Sequence, residues 1–290
     1  MRRRSPRWHD AQYDNRARIA EHPQILAHWF SASAAARERL DAALDVPYGD
    51  APSERLDVFR PKRPGAPVLV YIHGGYWRAL DKRDQSFVAV PFVEAGAMVV
   101  LPGYALCPAV TIEAIALQLV QALAWVHRHA AEFGGDPARI VVAGHSAGGH
   151  LAALLLCCDW PVVGADLPQR LVGSALAVSG VFELEPLRHA PFLAPDLRLD
   201  AASARRLSPA LLPRPAGRRL YAVVGGNEST EFLRQNRLIA RAWGTTMVPV
   251  CETVPGRHHM NVLHDLADPA CRVHRLALEL LGLMRPLAGR

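Results

Sequence analysis

The sequence predicts an α/β fold, with a mostly parallel central sheet and helices on both faces, and three observations carry that reading. Continuous apolar, β-rich runs recur at 68–73, 98–101, 140–143, 175–178 and 220–224, the pattern of strands buried on both faces. Helical segments stand between them, and parallel strands need such crossovers. Turn signals such as Gly134-Gly135 and Asp136-Pro137 mark the joints.

Taken in order, residues 1–50 read as a polar arm followed by helical segments, where Ile25, Leu26, Trp29 and Phe30 supply one apolar stripe. A short alternating strand at 56–59 precedes the buried strand VLVYIH at 68–73. Residues 83–96 carry Phe87, Val88, Phe92 and Val93 at mixed helical spacing, interrupted by Pro91, and lead to the strand at 98–101. The clearest helix is 112–133, with Ile112, Ile115, Leu119, Leu123 and Val126 on one face. Thr111 is placed to cap its start and Gly134-Gly135 to end it. Beyond the strand at 140–143, an apolar helix runs from Ala147 through 151–158. Strands at 175–178, 220–224 and 247–252 then alternate with helices at 231–243 and 271–284. Residues 182–215 break the rhythm with six prolines and no long periodic run. They predict a lid or pocket wall inserted in one domain spanning 1–290.

Composition excludes several classes. The 290 residues are 50% hydrophobic and 21% charged, which fits neither a disordered polymer nor a membrane bundle. The most apolar unbroken stretch, 151–158, is far short of the ~20 residues that span a bilayer. The first fifteen residues are Arg-rich without an apolar core, so no secretory signal is expected and a soluble, cytoplasmic protein is. Five irregularly spaced cysteines, Cys107, Cys157, Cys158, Cys251 and Cys271, make neither a disulfide framework nor a zinc site. The net charge of +6 hints at nucleic acid or an anionic membrane. However, residues 1–10 and 272–290 each hold four arginines against one acid, and the remainder balances 25 basic with 25 acidic side chains. The excess belongs to the two ends, and neither nucleic acid nor membrane is expected as a partner.

The chemistry concentrates in four places. Gly144-His145-Ser146-Ala147-Gly148 matches G-x-S-x-G between a buried strand and an apolar helix, the setting of a nucleophile elbow. Its glycines suit a strained turn with no room for side chains at 144 and 148. His73-Gly74-Gly75-Tyr76-Trp77 follows a buried strand, so the Gly74 and Gly75 amides, with that of Ala147, can receive an oxyanion. His73 reads as a structural brace. After the strand at 220–224, Glu228 stands where an acid is needed, with Glu231 in reserve. The base follows the next strand and is His258 or His259, which spacing does not separate. The ten remaining histidines read as surface or capping residues. No dinucleotide or Walker pattern occurs, and His258-His259 has no carboxylate at ligand spacing, so neither cofactor nor metal is expected.

Together HGGYW (73–77), YALCP (104–108), GGDPARIVVAGHSAGGHL (134–151), ESTEFLRQ (228–235) and HHM (258–260) resemble the kynurenine formamidase (arylformamidase) branch of the α/β-hydrolase superfamily. That branch lies near the hormone-sensitive-lipase-like esterases. The resemblance implies an α/β-hydrolase fold, Ser146 as nucleophile, and Gly74, Gly75 and Ala147 as oxyanion donors. It favours Glu228 over Glu231, in a position where the family usually has Asp, and His259, which precedes a large apolar residue. It implies cleavage of an N-formyl aryl amide such as N-formylkynurenine through a formyl-serine. Tyr76, Trp77, Tyr104, Phe182 and Phe192 are candidates to wall a pocket for a flat ring, and Arg78 to meet a substrate carboxylate or lie exposed. The same motifs admit a carboxylesterase of short acyl or aryl esters, or a catalytically silent binding module on this fold. A homodimer is compatible with either enzyme.

Overall fold

The computed structural model describes residues 4–284; the first three residues of the expected arm and the last six of the basic C-terminal end lie outside them. The chain opens with α1 (Pro6–Tyr13), α2 (Asn15–Arg18) and α3 (His22–Arg39), then β1 (Ala42–Pro47), β2 (Arg55–Phe59) and β3 (Ala66–Ile72). A 3-10 segment, Lys82–Val88, leads into α4 (Ala89–Glu94), β4 (Met98–Pro102) and α5 (Ile112–His129). β5 (Gly135–His145), α6 (Ala147–Leu156), α7 (Trp160–Val163) and β6 (Ser174–Val178) follow, then the short helices α8 (Ala194–Leu197) and α9 (Ala201–Arg206). The remaining elements are β7 (Arg219–Gly225), α10 (Thr230–Trp243), β8 (Val250–Val254), α11 (Val262–Ala267) and α12 (Arg272–Leu281).

The eight strands form one sheet in the order β1-β2-β4-β3-β5-β6-β7-β8. The two pairings of β2 are antiparallel and the other five are parallel. Side chains alternate across β3, and the two faces feed different cores. Val68, Val70 and Ile72 pack with Leu119 of α5, Leu151 of α6 and Phe232 of α10. Leu69 and Tyr71 pack on the other face with Trp29 of α3, Phe92 of α4 and Leu276 of α12. Each such buried side chain contributes about 1.5–3 kcal/mol of apolar burial. The parallel strands all point the same way, so the loops after β3, β5, β6, β7 and β8 gather at one edge, where open α/β sheets keep their sites.

Local signals explain most boundaries. Thr111 accepts the Ala114 N–H at 3.2 Å and starts α5. That helix ends at His129, four residues before the expected limit, and tightens into a 3-10 turn, Ala130–Phe133, closed by Gly134 at φ +91°. Residues 136–139 continue β5 rather than turning before it, because the pairing resumes across an irregularity between Ala66 and Val68. Residues 42–47, expected within the helical arm, form the edge strand β1. A register shift between Ala43 and Val46, with Asp45 at φ +55°, obscures its period-two pattern. β8 begins at Val250 rather than 247, since the Met247 and Val248 amides bond back to the Gly244 carbonyl. Val262–Ala267 form the short helix α11, where the sequence predicts no element. In α3, Ile25 and Trp29 are buried, whereas Phe30 faces outward.

Residues 182–215 contain α8, α9 and two 3-10 turns, Glu185–His189 and Pro209–Leu211. Leu184, Leu187, Leu193, Leu197 and Ala204 sink into the same core as α5, α6 and α10. The segment is therefore packed onto the body along most of its length.

Candidate active site

β5 delivers Ser146 to the carboxyl edge of the sheet, at the start of α6. Ser146 has φ +56° and ψ −116°, a conformation that costs a non-glycine residue about 1–3 kcal/mol unless its surroundings hold it. Its N–H donates to the Val178 carbonyl at 2.8 Å, tying the turn to β6. A methyl group on Gly144 would lie 2.3 Å from the Gly148 carbonyl carbon, and one on Gly148 would lie 2.0 Å from the Ile72 carbonyl oxygen. Only glycine lets α6 cross β3 and β5 this closely.

Ser146 Oγ lies 2.9 Å from His259 Nε2, and His259 Nδ1 lies 2.7 Å from Glu228 Oε2. With Nδ1–H donated to the carboxylate, Nε2 is the nitrogen able to accept the serine proton. Glu228 is itself held, because its Oε1 accepts the Gly225 N–H at 2.8 Å and the Ser179 hydroxyl. Ser179 follows β6 with φ +53°, a turn that aims its hydroxyl back at the end of β7. The Glu228 side chain has no exposed surface, and the Phe232 ring lies 4.4 Å from that of His259.

His258 stands apart from the serine. Its Nδ1 accepts the Met260 and Asn261 N–H groups at 3.2 and 3.3 Å, and its Nε2–H donates to Glu21 at 3.0 Å. Both nitrogens are thus committed to holding the loop and joining it to the N-terminal helices. Glu231 is likewise removed from the histidines. It is buried, accepts the Tyr13 hydroxyl at 2.8 Å and pairs with Arg234.

Gly74 and Gly75 lie where β3 ends. A methyl on Gly74 would meet the His145 carbonyl at 2.8 Å and Ser146 Cβ at 3.3 Å, so the Gly74 backbone abuts the serine. Gly75, at φ +108°, lines a cavity of about 350 Å³ together with Tyr76, Trp29, Met260, Ser146 and His259. Ala147 opens α6, where a first-turn amide has no partner within the helix.

Of the five aromatic candidates, Tyr76 lines this cavity. The other four do not. Trp77, Tyr104 and Phe182 are buried in the core shared by α5, α6 and α10, and Phe192 stands behind Tyr76 with its ring 5.9 Å away, edge to face. Successive positive φ angles at Gly75, Tyr76 and Trp77 send adjacent side chains in different directions. Tyr104 instead stacks on His73 at 4.2 Å and donates to its carbonyl at 2.9 Å, bracing the glycine loop from below. Arg78 reaches the cavity but is paired with Asp196.

Several contributors gave no motif signal. Asp14, Asn15 and Arg16, at the junction of α1 and α2, line the cavity, as do Leu26 and Trp29 of α3. His145, the variable residue of the elbow, donates Nε2–H to the His259 carbonyl at 2.7 Å. His9, His145, His150 and His274 are buried rather than at the surface, and two of them serve helix ends, His150 bonding the Leu207 carbonyl after α9 and His274 the Leu266 carbonyl of α11. Burial lowers His145 to about 3 and His73 and His150 to about 4, so all three are neutral near pH 7. Among the described residues no cluster of His, Cys, Asp or Glu could hold a metal ion, and no helix is long and apolar enough to cross a membrane.

Fold and site together define an α/β hydrolase of the serine type. The chain is 32% identical to the kynurenine formamidase of Danio rerio over 260 residues, covering 87% of this chain and 86% of that protein. It belongs to the kynurenine formamidase family. A family model named BD-FAE matches residues 56–159. The esterase LipQ of Mycobacterium tuberculosis is 37% identical over 149 residues, which is 48% of this chain and 35% of that one. A solved structure of a candidate thioesterase from Silicibacter sp. tm1040 superposes with a TM-score of 0.81 at 31% identity, covering 96% of this chain and 98% of that one.

Proposed function

We propose that Ser146, His259 and Glu228 form the nucleophile, base and acid of an enzyme that hydrolyses N-formyl aryl amides such as N-formylkynurenine. One observation carries the reading: Ser146, His259 and Glu228 are joined at 2.9 and 2.7 Å beside a cavity that Ser146 and His259 themselves line. The activity named for the Danio rerio relative supports the formamide as substrate.

His259 takes the Ser146 proton as Oγ adds to the formyl carbon. Charge develops on the carbonyl oxygen and is met by the Gly74, Gly75 and Ala147 amides, where losing one donor costs about 10²–10³ in kcat. The C–N bond breaks as His259 returns the proton to the aryl nitrogen, leaving a formyl ester on Ser146. Water then loses a proton to His259 and attacks that ester, and the C–Oγ bond breaks as His259 returns the proton to Ser146, releasing formic acid that ionises to formate. Glu228 holds the imidazole tautomer throughout and stabilises its protonated form. Segment 182–215 serves as a fixed pocket wall, to which Asp196 contributes directly.

The LipQ relative supports a second reading, a carboxylesterase using the same three residues. Turnover of N-formylkynurenine is compared with that of p-nitrophenyl acetate and butyrate, and formate release is followed. Formamide cleavage abolished by S146A supports the first reading; efficient ester turnover without formamide cleavage overturns it in favour of the second.

A further inference from the structure

The cavity beside Ser146 is walled on one side by the N-terminal helices, through Asp14, Asn15 and Arg16. This wall is fastened at several points. The Tyr76 hydroxyl donates to the Tyr13 carbonyl at 2.5 Å, and Asn15 Nδ2 donates to that same hydroxyl at 3.3 Å. The Phe192 N–H donates to Asp10 at 3.2 Å, and the Tyr13 hydroxyl donates to buried Glu231.

Two guanidinium groups belong to the cavity wall, and they are not equivalent. Arg78 is occupied: it pairs with Asp196, donates to the Phe192 carbonyl at 2.7 Å and lies over the Phe192 ring at 5.4 Å. Arg16 is exposed and has no hydrogen-bond or ion-pair partner among the described residues. The neighbouring Asp14 is engaged in accepting the Ala17 N–H at 3.0 Å, which caps α2. An unpaired planar cation in a cavity wall that also presents apolar Leu26, Trp29, Leu80 and Met260 can take a carboxylate through two parallel hydrogen bonds.

We infer that Arg16 receives the carboxylate of the substrate's leaving group, so that the preferred substrates are aryl formamides with an anionic tail rather than neutral formanilides. The choice of formamide rests on the reading above; the preference for an anion rests on Arg16 alone. Holding the far end of the substrate positions the formyl carbon against Ser146.

The test measures kcat/KM of the full chain, R16Q and R16K on two matched pairs. One pair is N-formylanthranilate and formanilide, with N-formylkynurenine run beside them; the other is 4-acetoxybenzoate and phenyl acetate. R16Q is expected to lower the anionic member's kcat/KM about tenfold more than its neutral partner's, chiefly through KM. R16K should recover part of that preference, and rising ionic strength should erode it in the wild type but not in R16Q. An equal loss on both members of a pair, or no anion preference in the wild type, overturns the assignment of Arg16. Turnover of the esters with none of the formamides overturns the formamidase reading instead, and the ester pair still judges Arg16.

Discussion

His145 donates its Nε2–H to the backbone carbonyl of His259 across 2.7 Å, and the two rings lie 4.9 Å apart. The residue just before the elbow serine thus holds the main chain of the residue proposed as its base. His145→Ala removes this bond while leaving Ser146, Glu228 and the His259 ring chemically intact. We expect kcat to fall about 10–10²-fold with a small change in KM, as for a misplaced catalytic group. His145→Gln, which can still donate, should recover part of the loss. An Ala variant with wild-type kcat would remove the positioning role.

His258 and His259 should separate sharply. His259→Ala is expected to abolish turnover, since it removes the only imidazole within reach of Ser146 Oγ among the described residues. His258→Ala loosens the loop and its link to Glu21, so a loss within about tenfold is expected, with a lower Tm. Steady-state kinetics of the two variants decide, and the reverse ranking would move the base to His258.

Glu228→Gln keeps the shape of the side chain but loses its charge, and can present an amide N–H to His259 Nδ1. A wrong tautomer and an unstabilised imidazolium should lower kcat by about 10³–10⁴. Glu228→Asp keeps the charge but draws the carboxylate back by one methylene from His259, Gly225 and Ser179, and a smaller loss is expected. Equal kcat values for the two variants would sink the proposed role of the charge.

Acid should weaken the fold through its buried histidines. Burial holds His145 near 3 and His73 and His150 near 4, below the ordinary 6.5. Between those values the unfolded chain binds protons that the folded chain refuses, so this contribution to stability is fully present above about pH 6.5 and declines as pH falls toward 4. By pH 5 each histidine is expected to cost about 2 kcal/mol. Thermal melts from pH 7 to 4 should show a steadily falling Tm; a flat profile would contradict the burial argument.

Gly148→Ala places a methyl 2.0 Å from a backbone oxygen of β3, where no flexible side chain can yield. We expect destabilisation of more than about 4 kcal/mol or failure to fold. Gly65→Ala is the contrast, because its φ is +74° but nothing lies within 4 Å, and strain of about 1 kcal/mol is expected. Denaturant unfolding of both variants separates steric contact from backbone strain.

The sequence by itself determined the alternation of strands and helices, the cap at Thr111, and the close packing at Gly144 and Gly148. Each depends on neighbours within a few residues, where periodicity, capping and turn chemistry act. Local order also sufficed to nominate Ser146, Glu228 and the histidine pair, because each follows the end of a strand. Spacing left His258 and His259 open and the family resemblance favoured His259; the path of the loop is what turns that ring, and not its neighbour's, toward Ser146. Tertiary structure also sent Trp77, Tyr104 and Phe182 into the core and brought Asp14, Asn15 and Arg16 across the chain to the pocket. Those placements come from contacts between residues far apart in sequence, such as Tyr13 with Glu231, and no local pattern records them.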